Sequence, residues 1–273
     1  AGVDHKRLAS RRFQYTMAAL QRMLDFLAAD LDKADMAADM DWAAQVREML
    51  EHDRFQLVYQ PIMSLEDDQV QDYEVLVRMI CDDGQIILPG GFMPAAERFG
   101  LIHSVDRWMV ERAIHQLPTV HPQGQQASFS INLSGRAFED AALLPLIQDL
   151  LEETGLEPTW VTFEITETAA IANLAAAEDF ITAFKDIGCQ FALDDFGSGL
   201  SSFTYLKNLP VDYLKIDGHF IKNVAEDSVD ESMVRAIREV GKAMGIKTIA
   251  ERVETQEVLD KLGALGVEYA QGY

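Results

Sequence analysis

The sequence predicts an α/β fold: a modified (β/α)8 barrel of the TIM type with one antiparallel strand, preceded by an N-terminal helical segment. Three observations predict it. Eight short β-rich runs recur from Phe55 onward, most of them separated by an amphipathic helical stretch, and that alternation indicates a parallel sheet closed by its eighth unit. The length of 273 residues suits one such barrel, which takes roughly 250. The connection over residues 61–73 is short and has little helical character, so the first two strands are expected to form an antiparallel hairpin.

Residues 1–41 read as a helical linker. Phe13, Met17, Leu20, Leu24, Leu27 and Leu31 are spaced 4-3-4-3-4, an a/d seam, and no Gly or Pro interrupts from Arg11 to Arg54. Such a seam either docks on its own domain or pairs with a second chain and relays a signal from upstream. A homodimer and an upstream sensor or cyclase-like domain are the partners expected of the second use. The first residues read like the start of an excised segment. A second helix over 41–51 puts Trp42, Val46, Met49 and Leu50 on one face.

Residues 42–273 read as the barrel domain. The predicted strands are 55–62, 73–80, 128–133, 160–165, 190–193, 211–216, 246–250 and 267–270. Helices are predicted around 109–117, 141–154, 175–187, 228–244 and 255–262, and Gly155, Gly188 and Gly245 fall where three of them should end.

Composition excludes several functions. Forty-five acidic residues against 23 Lys+Arg give a net charge of −22, which disfavours binding to polymeric nucleic acid or to anionic lipid. Two distant cysteines, Cys81 and Cys189, build neither a disulfide scaffold nor a thiolate zinc site. No apolar run reaches the ~18 residues of a membrane span and no signal peptide opens the chain. A cytoplasmic segment is expected, with membrane tethering left to the full-length protein.

Strand alternation exposes a site. In 128–133, 160–165, 190–194 and 211–216 the apolar side chains fall in one phase, which should face the helices. The opposite phase collects Asn132, Glu164, Asp194 and Lys215, and Glu74 and Arg78 share a phase in the second strand. These polar groups would point into the barrel, where they cost several kcal/mol unless paired or metal-bound. They lie toward the C-terminal strand ends, where barrel enzymes keep their chemistry, and Asp195, Glu251 and Gln271 follow at or just past strand ends. Carboxylates and an Asn, with no His or Cys, make an all-oxygen set that suits Mg²⁺ or Mn²⁺. His219 alone among the histidines lies just past a strand end. The adjacent Asp194-Asp195 can serve two cations, a standard arrangement for phosphodiester cleavage. Enolase-type proton abstraction also uses carboxylates and a Lys on strand ends, but needs one main metal site.

In chain order the motifs are Tyr59-Gln60-Pro61-Ile62, Glu74-Val75-Leu76-Val77-Arg78, Asn132-Leu133-Ser134, Glu164-Ile165-Thr166-Glu167 and Asp194-Asp195-Phe196-Gly197-Ser198-Gly199. They continue with Lys215-Ile216-Asp217, Ala250-Glu251-Arg252-Val253-Glu254 and Gln271-Gly272-Tyr273. From about Trp42 to the last residue the chain resembles the EAL domains, bacterial cyclic di-GMP phosphodiesterases. The resemblance implies hydrolysis of cyclic di-GMP to linear pGpG with two Mg²⁺ or Mn²⁺ ions. The alternative is a catalytically silent receptor for the same nucleotide. It further implies Glu74, Asn132, Glu164 and Asp194 as ligands of one ion, with Asp194 shared and Asp195 and Glu251 serving the second. Glu251 would also be the general base. Lys215 would hold the attacking water and steady the phosphate, and Glu167 would hold the Asp-Asp-Phe-Gly loop. Arg78 and Gln60 would contact substrate, and Gln271 would support the substrate site from the last strand. Departures are Val75 for Ala, Ser198 for Thr, Arg252 for a common Gly and His219 for a common Ser, none at a ligand position. The family continues past Gln-Gly-Tyr into a closing helix, so the domain is expected to be truncated at its C-terminal end.

Overall fold

A computed structural model describes residues 40–81, 84–120, 128–198 and 203–272. The heptad seam from Phe13 to Leu31, most of the 1–41 linker and Gly199 lie outside these residues.

Among the described residues nine strands follow one another as β1 (Phe55–Ser64), β2 (Val70–Ile80), β3 (Ile86–Ile87), β4 (Ser128–Asn132), β5 (Val161–Thr166), β6 (Gln190–Phe196), β7 (Tyr213–Ile216), β8 (Lys247–Val253) and β9 (Tyr269–Gly272). Eight of them close a barrel in the order β1-β9-β8-β7-β6-β5-β4-β2, with β1 returning to β2; β3 is a short appendage on β2. Neighbours from β2 through β4 to β9 run parallel, whereas β1 is antiparallel to both β2 and β9. The short hairpin connection thus produces the one reversed strand the sequence predicts, and each of the eight predicted strands overlaps a barrel strand.

The helices are α1 (40–51), α2 (Pro89–Arg98), α3 (Ile102–Val120), α4 (Leu143–Thr154), α5 (Glu167–Ala172), α6 (Leu174–Asp186), α7 (Gly218–Ile221), α8 (Ser228–Met244) and α9 (Gln256–Leu265). Val46 and Met49 of α1 are buried, as its periodicity predicts, and Trp42 and Leu50 pack against the same core. Asp227 caps α8 by accepting from the backbone of Val229 and Asp230, and left-handed Gly155 and Gly245 close α4 and α8. Helix α2 is absent from the sequence reading because Gly90, Gly91 and Pro94 look like a loop. Pro89 at its first turn and burial of Phe92, Ala95 and Ala96 outweigh that weak propensity.

The apolar strand phase faces the helices. Phe163 and Phe191 are fully buried against Phe184 of α6, with ring centroids 5.1 and 5.7 Å from it, and each such side chain contributes roughly 1.5–3 kcal/mol by leaving water. Cys189 is buried, and that burial pushes its thiol up to about 12, which makes it an inert core residue. No described helix is long and apolar enough to cross a membrane.

Candidate active site

Packing the apolar phase outward forces the opposite phase into the barrel, and at its C-terminal end that phase meets around one ammonium. Lys215 of β7 is fully buried. Its Nζ lies 2.7 Å from Glu164 Oε2 (β5), 3.0 Å from Glu251 Oε1 (β8), 3.1 Å from Asp194 Oδ1 (β6) and 3.2 Å from Glu74 Oε2 (β2). Asn132 of β4 donates from Nδ2 to Glu74 Oε1 at 2.7 Å, and Gln271 of β9 donates from Nε2 to Glu74 Oε2 at 2.6 Å. Six parallel strands and the reversed-strand partner β2 thus all contribute to one cluster.

Two bulges complete it. Strand alternation would send Asp195 away from Asp194, and Arg252 away from Glu251. The registers instead slip between Leu193 and Phe196 and between Ala250 and Val253, and both Asp195 and Arg252 take φ of +53°. A left-handed non-glycine residue costs of order 1 kcal/mol and tends to mark a functional site. One result is that carboxylate oxygens of Asp194, Asp195 and Glu251 come within 4.8 Å of one another. The β8 bulge also demands Gly272 beside it: a Cβ there would lie 1.7 Å from the Val253 carbonyl oxygen.

The electrostatics are unbalanced. Burial opposes charge on Lys215, yet Glu164, Asp194, Glu74 and Glu251 hold its pKa well above the usual lysine range. Burial raises Glu74 as well, but Lys215 with the Gln271 and Asn132 amides brings it below the usual carboxylate range. Glu164 is driven well upward by burial and by Glu74 and Asp194, against the pull of Lys215. Glu251 is pushed up to about 7, chiefly by burial, and Asp195 is raised by burial and by Asp194. An ammonium has three donors, and four carboxylates surround this one. Glu164 Oε1 and Asp194 Oδ1 are buried without a hydrogen bond; the latter is close to Nζ but badly aligned. With all five carboxylates ionised, one ammonium would leave four negative charges, the amount that two divalent cations would balance. The hard oxygen donors and the orphaned buried oxygens fit such ions.

The other predicted residues lie around this cluster. Glu167, at the start of α5, accepts from the Gly197 amide at 2.8 Å and from the Tyr205 hydroxyl, tying β5 to the turn after Asp194-Asp195. Gln60 of β1 faces Glu74 in the register and reaches the Gly272 carbonyl at 3.4 Å. Arg78 is half-buried and donates to the neighbouring Val77 carbonyl at 2.9 Å, outside the carboxylate cluster. His219 is exposed, packs on Phe220 and stays out of the cluster. The sequence reading missed Tyr205, whose partner lies 38 residues away. It also missed Asp106 of α3, which is buried and accepts from both the amide and hydroxyl of Ser134, at 3.3 and 2.6 Å. Helical phase could have flagged Asp106, the polar residue beside Val105 and Met109 on a buried face.

The EAL domain model matches residues 43–273. Cyclic di-GMP phosphodiesterase PdeB of Shewanella oneidensis is 40% identical over 233 residues, covering 85% of this chain and 27% of the relative. Cyclic di-GMP phosphodiesterase PdeF of Escherichia coli is 34% identical over 229 residues, covering 84% and 30%. The chain therefore spans under a third of these relatives' length. Among solved structures, the PaMucR phosphodiesterase in complex with c-di-GMP superposes with a TM-score of 0.79 at 33% identity, covering 85% of this chain and 94% of that one. The FimX EAL domain from Pseudomonas aeruginosa bound to c-di-GMP gives 0.80 at 31%, with the same coverage. The match of model, relatives and barrel over the same residues places this chain in the EAL domain family.

Proposed function

We propose that this chain is a metal-dependent phosphodiesterase that hydrolyses one phosphodiester bond of cyclic di-GMP to give linear pGpG. The observation that carries the reading is the buried surplus of carboxylate around Lys215, arranged at the mouth of a barrel whose family relatives are named for that activity. Glu74, Asn132, Glu164 and Asp194 would hold one Mg²⁺ or Mn²⁺ ion, and Asp194, Asp195 and Glu251 the second. Bound ions of this kind offset phosphate charge and make water a better nucleophile. Water adds across one P–O bond: phosphorus gains the hydroxyl and the ribose oxygen leaves with a proton. Glu251 takes the proton from the attacking water, Lys215 holds that water and steadies the phosphate, and Glu167 keeps the Asp194-Asp195 turn in place. Arg78 and Gln60 contact the substrate, Arg78 by swinging from its present backbone contact, and Gln271 supports it from β9.

The test is incubation of the purified chain with Mg²⁺ or Mn²⁺ and cyclic di-GMP, with chromatography for pGpG. Metal-dependent product is expected; tight nucleotide binding with no product at any enzyme concentration would instead support a silent receptor. The 1–41 seam supports a homodimer, and a monomer by light scattering at high concentration would remove that part. An upstream sensor or cyclase-like domain in the full-length protein and a cytoplasmic setting complete the reading.

A further inference from the structure

We propose that Arg252 binds phosphate at the lip of this site, contacting the reacting phosphoryl group of the substrate and gripping the terminal phosphate of the product. The inference rests on the phosphodiesterase reading and adds a residue to it. Four non-glycine residues among those described have positive φ, namely Asp53, Asp68, Asp195 and Arg252. Aspartate tolerates that region because its short side chain can bond its own backbone; arginine has no such compensation. The β7–α7 turn accommodates the arginine in its turn. A Cβ at Gly218 would lie 2.5 Å from Arg252 Cδ, 2.7 Å from Cγ and 2.9 Å from Cβ, so the arginine stem lies across a bare Cα. Two separate backbone features thus serve one placement of a side chain whose conformational preference opposes it.

That placement puts a cation at the mouth. Arg252 is exposed, directly follows Glu251, and its charge offsets part of the repulsion felt by Asp195. Among the described residues no carboxylate pairs with its guanidinium, in a chain where acids outnumber Lys+Arg by 45 to 23. Lys215, by contrast, is fully buried among acids. A planar guanidinium with no ion pair among the described residues, beside the Asp195–Glu251 half of the site, matches a phosphoryl group in both charge and geometry. The product, whose terminal phosphate carries more charge than a diester, should feel it more.

The test compares wild type with R252G, R252K and R252Q. Glycine suits the backbone, so the R252G melting temperature should hold or rise. The expected result for R252G is a KM for cyclic di-GMP about five- to tenfold higher, with kcat changed less than the KM. Inhibition by added pGpG should weaken at least as much, and KM should depend less steeply on KCl than in wild type. R252Q should follow R252G, and R252K should fall between them and wild type. Unchanged KM, pGpG inhibition and salt dependence would overturn the proposal, as would a fall in kcat alone. If wild type makes no pGpG, the phosphodiesterase reading fails separately. Calorimetric affinity for cyclic di-GMP then decides: a five- to tenfold loss in R252G supports Arg252 as a phosphate contact, and equal affinities reject it.

Discussion

Asp72 and Glu74 stand two residues apart on the same face of β2, and the barrel treats them in opposite ways. Asp72 accepts from the Tyr73 amide at 2.7 Å and the Ser130 hydroxyl at 2.6 Å, and its enclosure raises its pKa. Glu74 is held below the usual range by Lys215, Gln271 and Asn132 despite burial. The lower acid has neutral donors, can carry a proton, and needs nothing more. The upper one is kept charged inside a group with more negative charge than its partners supply. A polar barrel interior is therefore two things: a lower part where Asp72 meets neutral donors, and a mouth with a surplus of negative charge. The second kind identifies the place of chemistry, because only it leaves a buried debt of charge for a ligand to settle.

The sharpest way to break this distinction is at the mouth. Glu251→Gln should reduce pGpG formation about 10²–10⁴-fold, the usual contribution of a general base, while cyclic di-GMP still binds by calorimetry. Retained turnover would strip Glu251 of its role. Next comes Lys215→Ala, which leaves four carboxylates facing one another. Without divalent ions it should cost about 3–5 kcal/mol of unfolding free energy, and Mg²⁺ should restore more stability to it than to wild type. Denaturant titrations with and without Mg²⁺ measure both. An unaffected variant would mean that the cluster sheds its charge by protonation alone.

The lower part should respond more weakly. Asp72→Asn is expected to cost about 1 kcal/mol and to leave the gain in stability from Mg²⁺ as in wild type. Asp106 offers a test of sign. Burial raises it from 3.8 to about 7, so the folded chain holds a proton that the unfolded chain has lost between those values. Its contribution is full below about pH 4 and lost as pH rises through about 7. Asp106→Asn should flatten the fall in stability across that window, and parallel wild-type and variant pH curves would count against the assignment.

Much of this was legible from residue order because side chains alternate along strands: Glu74, Asn132, Glu164, Asp194 and Lys215 share a phase with no distance known. What alternation cannot convey is which of them touch. That Lys215 sits among four acids depends on the barrel's width and stagger, which no local pattern encodes. The bulges break the period of two outright. Asp194 and Asp195 serve one mouth only because φ turns positive at Asp195, inside β6. Helix α2 was hidden by its glycines, and the Tyr205–Glu167 contact by its span along the chain.

The reversed strand has a consequence for how the domain can be driven. In a regular barrel the polypeptide arrives at the base, as far from the chemistry as the fold allows. Here Phe55, the first residue of β1, pairs with Met79 near the far end of β2, so α1 joins the barrel at the C-terminal rim of its parallel strands. A tug or twist delivered through α1 therefore reaches the rim end of β1 and, through Val46 and Met49, the hydrophobic core together.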